Sequence, residues 1–141
     1  MENSTIKTWV EKPTKKEVEN HIKLFFDLLK KGQLNEAKEI IGHKSKDWEY
    51  QIYSLWQDTY LIFLEEIEEE VEDDSFEGNL WKDDLTWLKK LKIEKKYHWE
   101  DDDSLFVNVI YENEVTDVSA EFSIIKGKKG YFVERSIIHI A

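Results

Sequence analysis

Cysteine is absent from the 141-residue chain, which excludes disulfides and thiolate chemistry. Proline occurs once, at Pro13, and arginine once, at Arg135. No run approaches the roughly 20 apolar residues needed to span a bilayer, and the N-terminus has no apolar core of a signal peptide. The expected setting is therefore the cytoplasm, away from membranes. Positive charge is scarce: 20 Lys and Arg stand against 31 Asp and Glu, for a formal net charge of −11. Such a chain repels phosphate backbones, which argues against direct nucleic-acid binding. Large apolar side chains are plentiful. Six Trp, six Tyr and seven Phe within 40% hydrophobic residues exclude a disordered acidic tail. No repeat or linker divides the sequence, so residues 1–141 read as one domain.

Thr14-Lys15-Lys16-Glu17 has the spacing of a capping box directly after Pro13. Val18, Ile22, Phe25, Phe26 and Leu29 follow as one helical stripe, and Gly32 is placed to cap its C-terminus. A short second helix is predicted over about Leu34 to Ile41. A third starts at Ser45 or Asp47 and runs to about Val71. Its two adjoining stripes, one through Trp48, Ile52, Leu55, Trp56, Thr59 and Phe63, predict packing against two elements. Its end carries the acidic run from Glu65 to Asp74, which opposes the helix dipole and predicts fraying. Ser75 to Asn79 reads as a loop, and Trp81 to Leu91 as another short helix.

From about residue 92 the apolar period changes to two. Ile93 to Trp99, then Leu105, Val107, Val109 and Tyr111, then Val118, Ala120, Phe122 and Ile124 mark successive strands. Lys126 to Gly130 reads as a hairpin turn, with Tyr131 to Ile140 returning. Helices over about 14–91 followed by an antiparallel meander over about 92–140 define an α+β domain. If Lys126 faces Gly130, then Val118 faces Ile138, Ile124 faces Phe132, Glu121 faces Arg135 and Asp117 faces His139. That register joins opposite charges on the polar face. It also puts Glu134 on the apolar face with Phe122, Ile124 and Phe132. There it could line a pocket as a general base, or reach water or a lysine at an open sheet edge.

The segment Gly32-Gln33-Leu34-Asn35-Glu36-Ala37-Lys38-Glu39-Ile40-Ile41 follows an amphipathic helix. The chain closes with Asp117 to Ile124, Gly130 to Glu134 and Ile137-Ile138-His139-Ile140. This combination resembles the NTF2-like superfamily, and within it the small acidic immunity proteins of bacterial polymorphic toxin systems. The resemblance covers about residues 14–42 and 105–140. It implies N-terminal helices packed on a curved antiparallel sheet, shaped as a cone. It further implies a homodimer contact through the outer sheet face, where Ile110, Val133 and Ile137 are expected.

The chemistry-bearing residues do not assemble a catalytic motif. His21, His43, His98 and His139 form no metal-ligand spacing, and the aspartates after His98 lack the alternation and glycine of a calcium loop. Ser119 and Ser123 lie in mid-strand without a nucleophile elbow, and Gly127 and Gly130 belong to a lysine-rich turn. No cofactor or metal is expected, and the protein reads as a non-enzyme. The acidic runs remain. Glu69, Glu70, Glu72, Asp73 and Asp74, with Glu100, Asp101, Asp102 and Asp103, are either solvated or meet a basic partner. Trp81, Trp87 and Trp99 lie near these runs and are candidate anchors where exposed, Trp99 beside the second run above all, with core packing expected of at least two of the three. The resemblance and the charge together lead to an immunity protein that occludes a basic toxin domain, a nuclease in the first instance. The competing readings are an NTF2-like small-molecule pocket or enzyme using Glu134, and a DNA mimic that inhibits a nucleic-acid enzyme.

Overall fold

Both hydrogen bonds of the capping box form in the computed structural model, which describes residues 6–43, 48–70 and 75–140. Glu17 N donates to Thr14 Oγ1 at 3.1 Å and Thr14 N to Glu17 Oε1 at 2.9 Å. Helix α1, Lys15–Lys30, buries the whole predicted stripe. It ends in a paired C-terminal motif in which Gly32 N donates to Leu29 O and Gln33 N to Leu28 O. Gly32 takes φ +76°, a conformation that glycine reaches at little cost. Helix α2 covers Leu34–Ile40, and strand β1 is the short Gly42–His43.

The long third helix is observed as α3, Trp48–Trp56, a π-helical turn at Gln57–Leu61, and α4, Ile62–Glu66. It touches β6 through α3 and β5 through the π turn, the two contacts that its double stripe predicts. The starts proposed at Ser45 and Asp47 lie outside the described residues. The expected end at Val71 is corrected to Glu66. Glu68 takes φ +60°, and Glu69 N donates to Leu64 O, so the chain turns away five residues early. The carboxylates that oppose the dipole supply the reason for the early stop. Helix α5, Leu80–Asp83, and a 3-10 turn, Thr86–Lys90, replace the single helix expected over residues 81–91.

The strands are β2, Leu91–Ile93; β3, His98–Trp99; β4, Ser104–Tyr111; β5, Glu114–Gly127; and β6, Gly130–Ile140. They form a sheet in the order β1-β6-β5-β4-β2, with β3 also paired to β4. Every pairing is antiparallel except that of β1 with β6. The sheet is strongly curled, close to half a barrel, and the domain is α+β. Its inner face presents Leu105, Val107, Val109, Tyr111, Phe122, Ile124 and Val133, all buried. Phe25 and Phe26 of α1 meet Phe122 edge-on, at ring separations of 6.2 and 6.4 Å. Among the described residues no helix is long and apolar enough to cross a membrane.

The β5–β6 register differs from the expected one. Gly127 pairs with Gly130, and Lys126 with Tyr131, so Lys128 and Lys129 alone make the turn. Ile124 then faces Val133 rather than Phe132, and Phe122 faces Arg135. Past a bulge between Ala120 and Phe122 the pairing shifts again, so Val118 faces Ile140 and Ser119 faces His139. A one-residue slip moves each side chain to the opposite face. Arg135 therefore enters the core, while Glu121 lies opposite Phe106 on the other face; the expected Glu121–Arg135 contact is corrected. The tighter turn has a cause outside the hairpin. Trp9 and Tyr131 exchange two backbone hydrogen bonds of 2.8 Å, and a Cβ at Gly130 would collide with the Trp9 carbonyl.

Arg135 is compensated by α1 and α3. Its Nη1 donates to Gln51 Oε1, and its guanidinium lies 4.9 Å from the Trp48 ring centre and 6.0 Å from that of Phe25. Burial pulls its pKa down to about 10, which leaves it charged at neutral pH. Glu134 moves with the register to the outer face, opposite Ser123 and beside Gly42, so it does not share the apolar face. Val133 is likewise buried on the inner face and not on the outer one proposed for a homodimer. Ile110 is half-buried, and the Ile137 side chain lies outside the described set.

Candidate functional site

Two irregular segments meet at one end of the sheet, and both are built by a threonine. In the π turn, buried Thr59 donates its hydroxyl to Leu55 O at 2.7 Å, within the stretch where the regular helical ladder is broken. In β5, Thr116 Oγ1 donates to Val109 O at 2.9 Å and accepts from Val118 N at 3.0 Å. That threonine fills the gap left by a register shift between Asn108 and Ile110 of β4. Glu112 and Asn113, at φ +53° and +67°, close the adjoining hairpin where Tyr111 pairs with Glu114.

Between these segments lies an open cleft of about 400 Å³. Its acidic lining comprises Asp58, Glu66, Glu112, Glu114 and Asp117, and no Lys, Arg or His contributes to the wall. Ile62, Phe63, Ile67, Tyr111 and Val115 provide the apolar lining. Three of them are unusually open to solvent: Ile62 is 41%, Ile67 50% and Val115 65% exposed. The floor is fixed by aromatic contacts. Tyr111 meets Phe63 at 5.9 Å and Tyr60 at 6.3 Å, and its hydroxyl donates to Trp87 O at 3.0 Å. Burial raises the Tyr111 pKa, so the hydroxyl remains a donor at neutral pH.

Partial desolvation pushes the Asp58 carboxyl above its ordinary pKa, against the opposing hydrogen bond from Ser54 Oγ at 3.5 Å. Outside the wall, Lys90 Nζ lies 3.4 Å from Glu112, and Lys92 Nζ donates to Asn113 Oδ1 at 2.9 Å. Behind Tyr111 a second cleft, about 480 Å³, is walled by Trp56, Tyr60 and Trp87 and carries Asp84 with Lys89 and Lys90. Charges of both signs line it.

The acidic residues named from the sequence fall into three groups. Glu69 and Glu70 are exposed just beyond the α4 terminus, while Glu72, Asp73 and Asp74 lie outside the described residues. Glu100–Asp103 sit at the opposite end of β4, on the order of 20 Å from the cleft at about 3.3 Å per strand residue. This loop is wired into the fold. Asp101 Oδ1 accepts from Asp103 N and Ser104 N, each at 2.8 Å, and from Ser104 Oγ at 3.0 Å. Those bonds hold the Asp101 pKa below the ordinary value. Asp103 pairs with Lys12, and Asp102 lies 3.8 Å from Lys15.

Trp99 is fastened to α1. Its Nε1 donates to Glu19 Oε2 at 2.8 Å, and Lys15 Nζ lies 5.1 Å from its ring centre. Trp81 and Trp87 are core residues, with indole donors satisfied by Phe76 O and Trp81 O. His98 pairs with Glu94 at 2.6 Å and stacks on Phe106, apart from the aspartates that follow it in sequence. Among the described residues no three His or carboxylate groups form a metal-holding cluster.

Sequence reasoning missed the cleft because its walls are 44 or more residues apart in the chain. Asp58 appears there as a polar residue of the long helix, and Glu112-Asn113-Glu114 as the gap between two strands. The only local signal was the loss of strict apolar alternation between Tyr111 and Val118. Compared with known proteins, the chain matches no family model, no curated protein and no solved structure.

Proposed function

We propose that this chain is an immunity protein, acting in the cytoplasm, that binds and neutralises a basic toxin domain, a nuclease in the first instance. The observation that carries the proposal is the cleft, where exposed aliphatic side chains border five carboxylates, of which, among the described residues, only Glu112 lies against a lysine, Lys90. A nuclease gathers positive charge around its substrate groove, so a surface of this kind is electrostatically complementary to it. Such complementarity speeds encounter, and burial of the aliphatic rim slows release. Inhibition is steric: the bound chain covers the groove. In the same proposal, the helices held within the curled sheet form the cone of an NTF2-like fold.

The Glu134 pocket no longer offers a rival of equal weight, because that carboxylate is not on the helix-covered face. The test is co-expression with the toxin domain encoded beside this chain. Survival of a sensitive cell, an inhibited nuclease and an association rate that falls steeply with salt are expected. Failure of the wild-type chain to protect overturns the immunity reading.

A further inference from the structure

We infer that the cleft between the π turn and the β4–β5 hairpin receives a partner segment in which an aliphatic side chain is flanked by lysine or arginine. This rests on the protein-binding reading and deepens it, since it names the docking face and the chemistry of its occupant.

The apolar rim is the first reason. Only seven large hydrophobic side chains among the described residues are strongly exposed, and Ile62, Ile67 and Val115 are three of them. They converge on one cleft although they come from a helix, its C-terminal cap and a hairpin. Scattered exposed aliphatics need no explanation, but a converging set rimmed by polar groups marks an interaction site. The second reason is charge. Asp58, Glu66, Glu114 and Asp117 line the same walls, and among the described residues none of them has a lysine nitrogen within 4.0 Å. A purely apolar segment would leave these carboxylates desolvated beside it, which is unfavourable. A purely basic one would leave the three aliphatic side chains in water. An occupant carrying both satisfies both walls.

The third reason is shape. The π turn and the β5 shift are each stabilised by a threonine hydroxyl, so the cleft is held open by bonded backbone rather than by side chains free to collapse. Recognition sites gain from such preorganisation. The loop at Glu100–Asp103 offers the contrasting case: the carboxylates of Asp103, Asp102 and Asp101 already serve Lys12, Lys15 and the turn itself.

The experiment titrates the methyl-labelled full chain with a synthetic nonapeptide that alternates leucine and lysine. Two analogues, one with serine for leucine and one with glutamate for lysine, serve as comparisons. Binding of the first should move the Ile62, Ile67 and Val115 methyl signals, weaken with added salt, and exceed that of either analogue at least about tenfold. Val115→Lys with Ile67→Lys should abolish it while the circular dichroism spectrum is kept. Glu114→Gln with Asp117→Asn, a milder pair, should weaken it without any change of size. Signals that move at Trp99 and Glu100–Asp103 instead, or equal binding of the serine analogue, overturn the inference. A wild-type chain that protects against its toxin, with protection unchanged in the double-lysine variant, overturns this docking face and leaves the immunity reading standing. Peptide binding at the cleft without protection supports the inference and removes the immunity reading alone.

Discussion

The two acidic ends of β4 look alike in sequence and differ in what their carboxylates are doing. At the Ser104 end, Asp101 organises a turn, Asp102 lies against Lys15 at the start of α1, and Asp103 against Lys12 just before it. At the Tyr111 end, the acids surround exposed Ile62, Ile67 and Val115. Asp101, Asp102 and Asp103 are engaged within the fold, whereas in the second set, among the described residues, Glu112 alone lies against a lysine, Lys90. Four consecutive acidic residues are the denser charge, yet density is a poor guide to a binding face. A carboxylate already paired across a short range adds less to a partner, because the field that it projects is partly cancelled.

The largest effect expected from this contrast is on binding. Glu114→Lys with Asp117→Lys should cost about 2 kcal/mol or more against a basic partner, read as faster dissociation. Replacing Glu100, Asp101, Asp102 and Asp103 by amides should slow association and leave dissociation unchanged. Equal losses in dissociation at both ends would break the comparison. Next in size is the support beneath the cleft. Thr59→Val deletes a buried hydroxyl that bonds the Leu55 carbonyl, and should cost about 1–2 kcal/mol in denaturant unfolding. Ser104→Ala, at the start of β4 beside the exposed loop, should stay within about 0.5 kcal/mol.

How legible these regions were in the sequence depends on how local their causes are. Helix α1 was readable at both ends because Thr14 with Glu17, and Gly32 with Leu28 and Leu29, satisfy their backbone within a few residues. The inner face of β4 was readable for the same reason: Leu105, Val107, Val109 and Tyr111 alternate without interruption. Arg135 was not. It looks like a surface cation opposite Glu121, and its burial depends on Trp48, Phe25 and Gln51, the last 84 positions away. Its face was set by Trp9 meeting Gly130 and Tyr131, a contact that strand pattern cannot express. Thr59 fitted the apolar stripe of the long helix, so the π turn that it anchors left no trace in the spacing. The cleft needs both that turn and the Thr116 shift, and neither has a period.

Smaller again is the effect at the α4 terminus, which sets one wall of the cleft. Glu68 occupies a left-handed position where glycine is usual. Glu68→Gly should stabilise the chain by about 1 kcal/mol, by relief of that strain, and should leave peptide binding unchanged. In the other region, Asp101→Ala should lower the melting temperature more than Asp102→Ala, although the two residues are adjacent and equally charged. Only Asp101 accepts the three bonds that shape the turn. A reversed order would remove the claim that this loop is wired from within.

The smallest expected effect separates the two regions by the sign of their pH dependence. Asp101 has its pKa lowered by hydrogen bonds from Asp103 and Ser104, whereas Asp58 has its pKa raised by desolvation. A lowered folded-state pKa means that the stabilising contribution is complete above the unfolded value of 3.8 and fades as pH falls through the folded one. A raised folded-state pKa works the other way. The wild-type chain carries no penalty from Asp58 below pH 3.8, and the penalty grows as pH rises from there through the folded pKa. Chemical denaturation should therefore show Asp101→Asn losing stability relative to wild type as pH rises from the folded pKa towards 3.8. Asp58→Asn should gain stability relative to wild type as pH rises above 3.8. The gain at neutral pH marks the Asp58 charge as one held at the fold's expense, the condition expected of a carboxylate kept for a cationic partner. A partner that neutralises it should erase the difference between wild type and Asp58→Asn in the unfolding of the complex, while the Asp101→Asn difference stays. Retention of both differences in the complex would place Asp58 outside the interface.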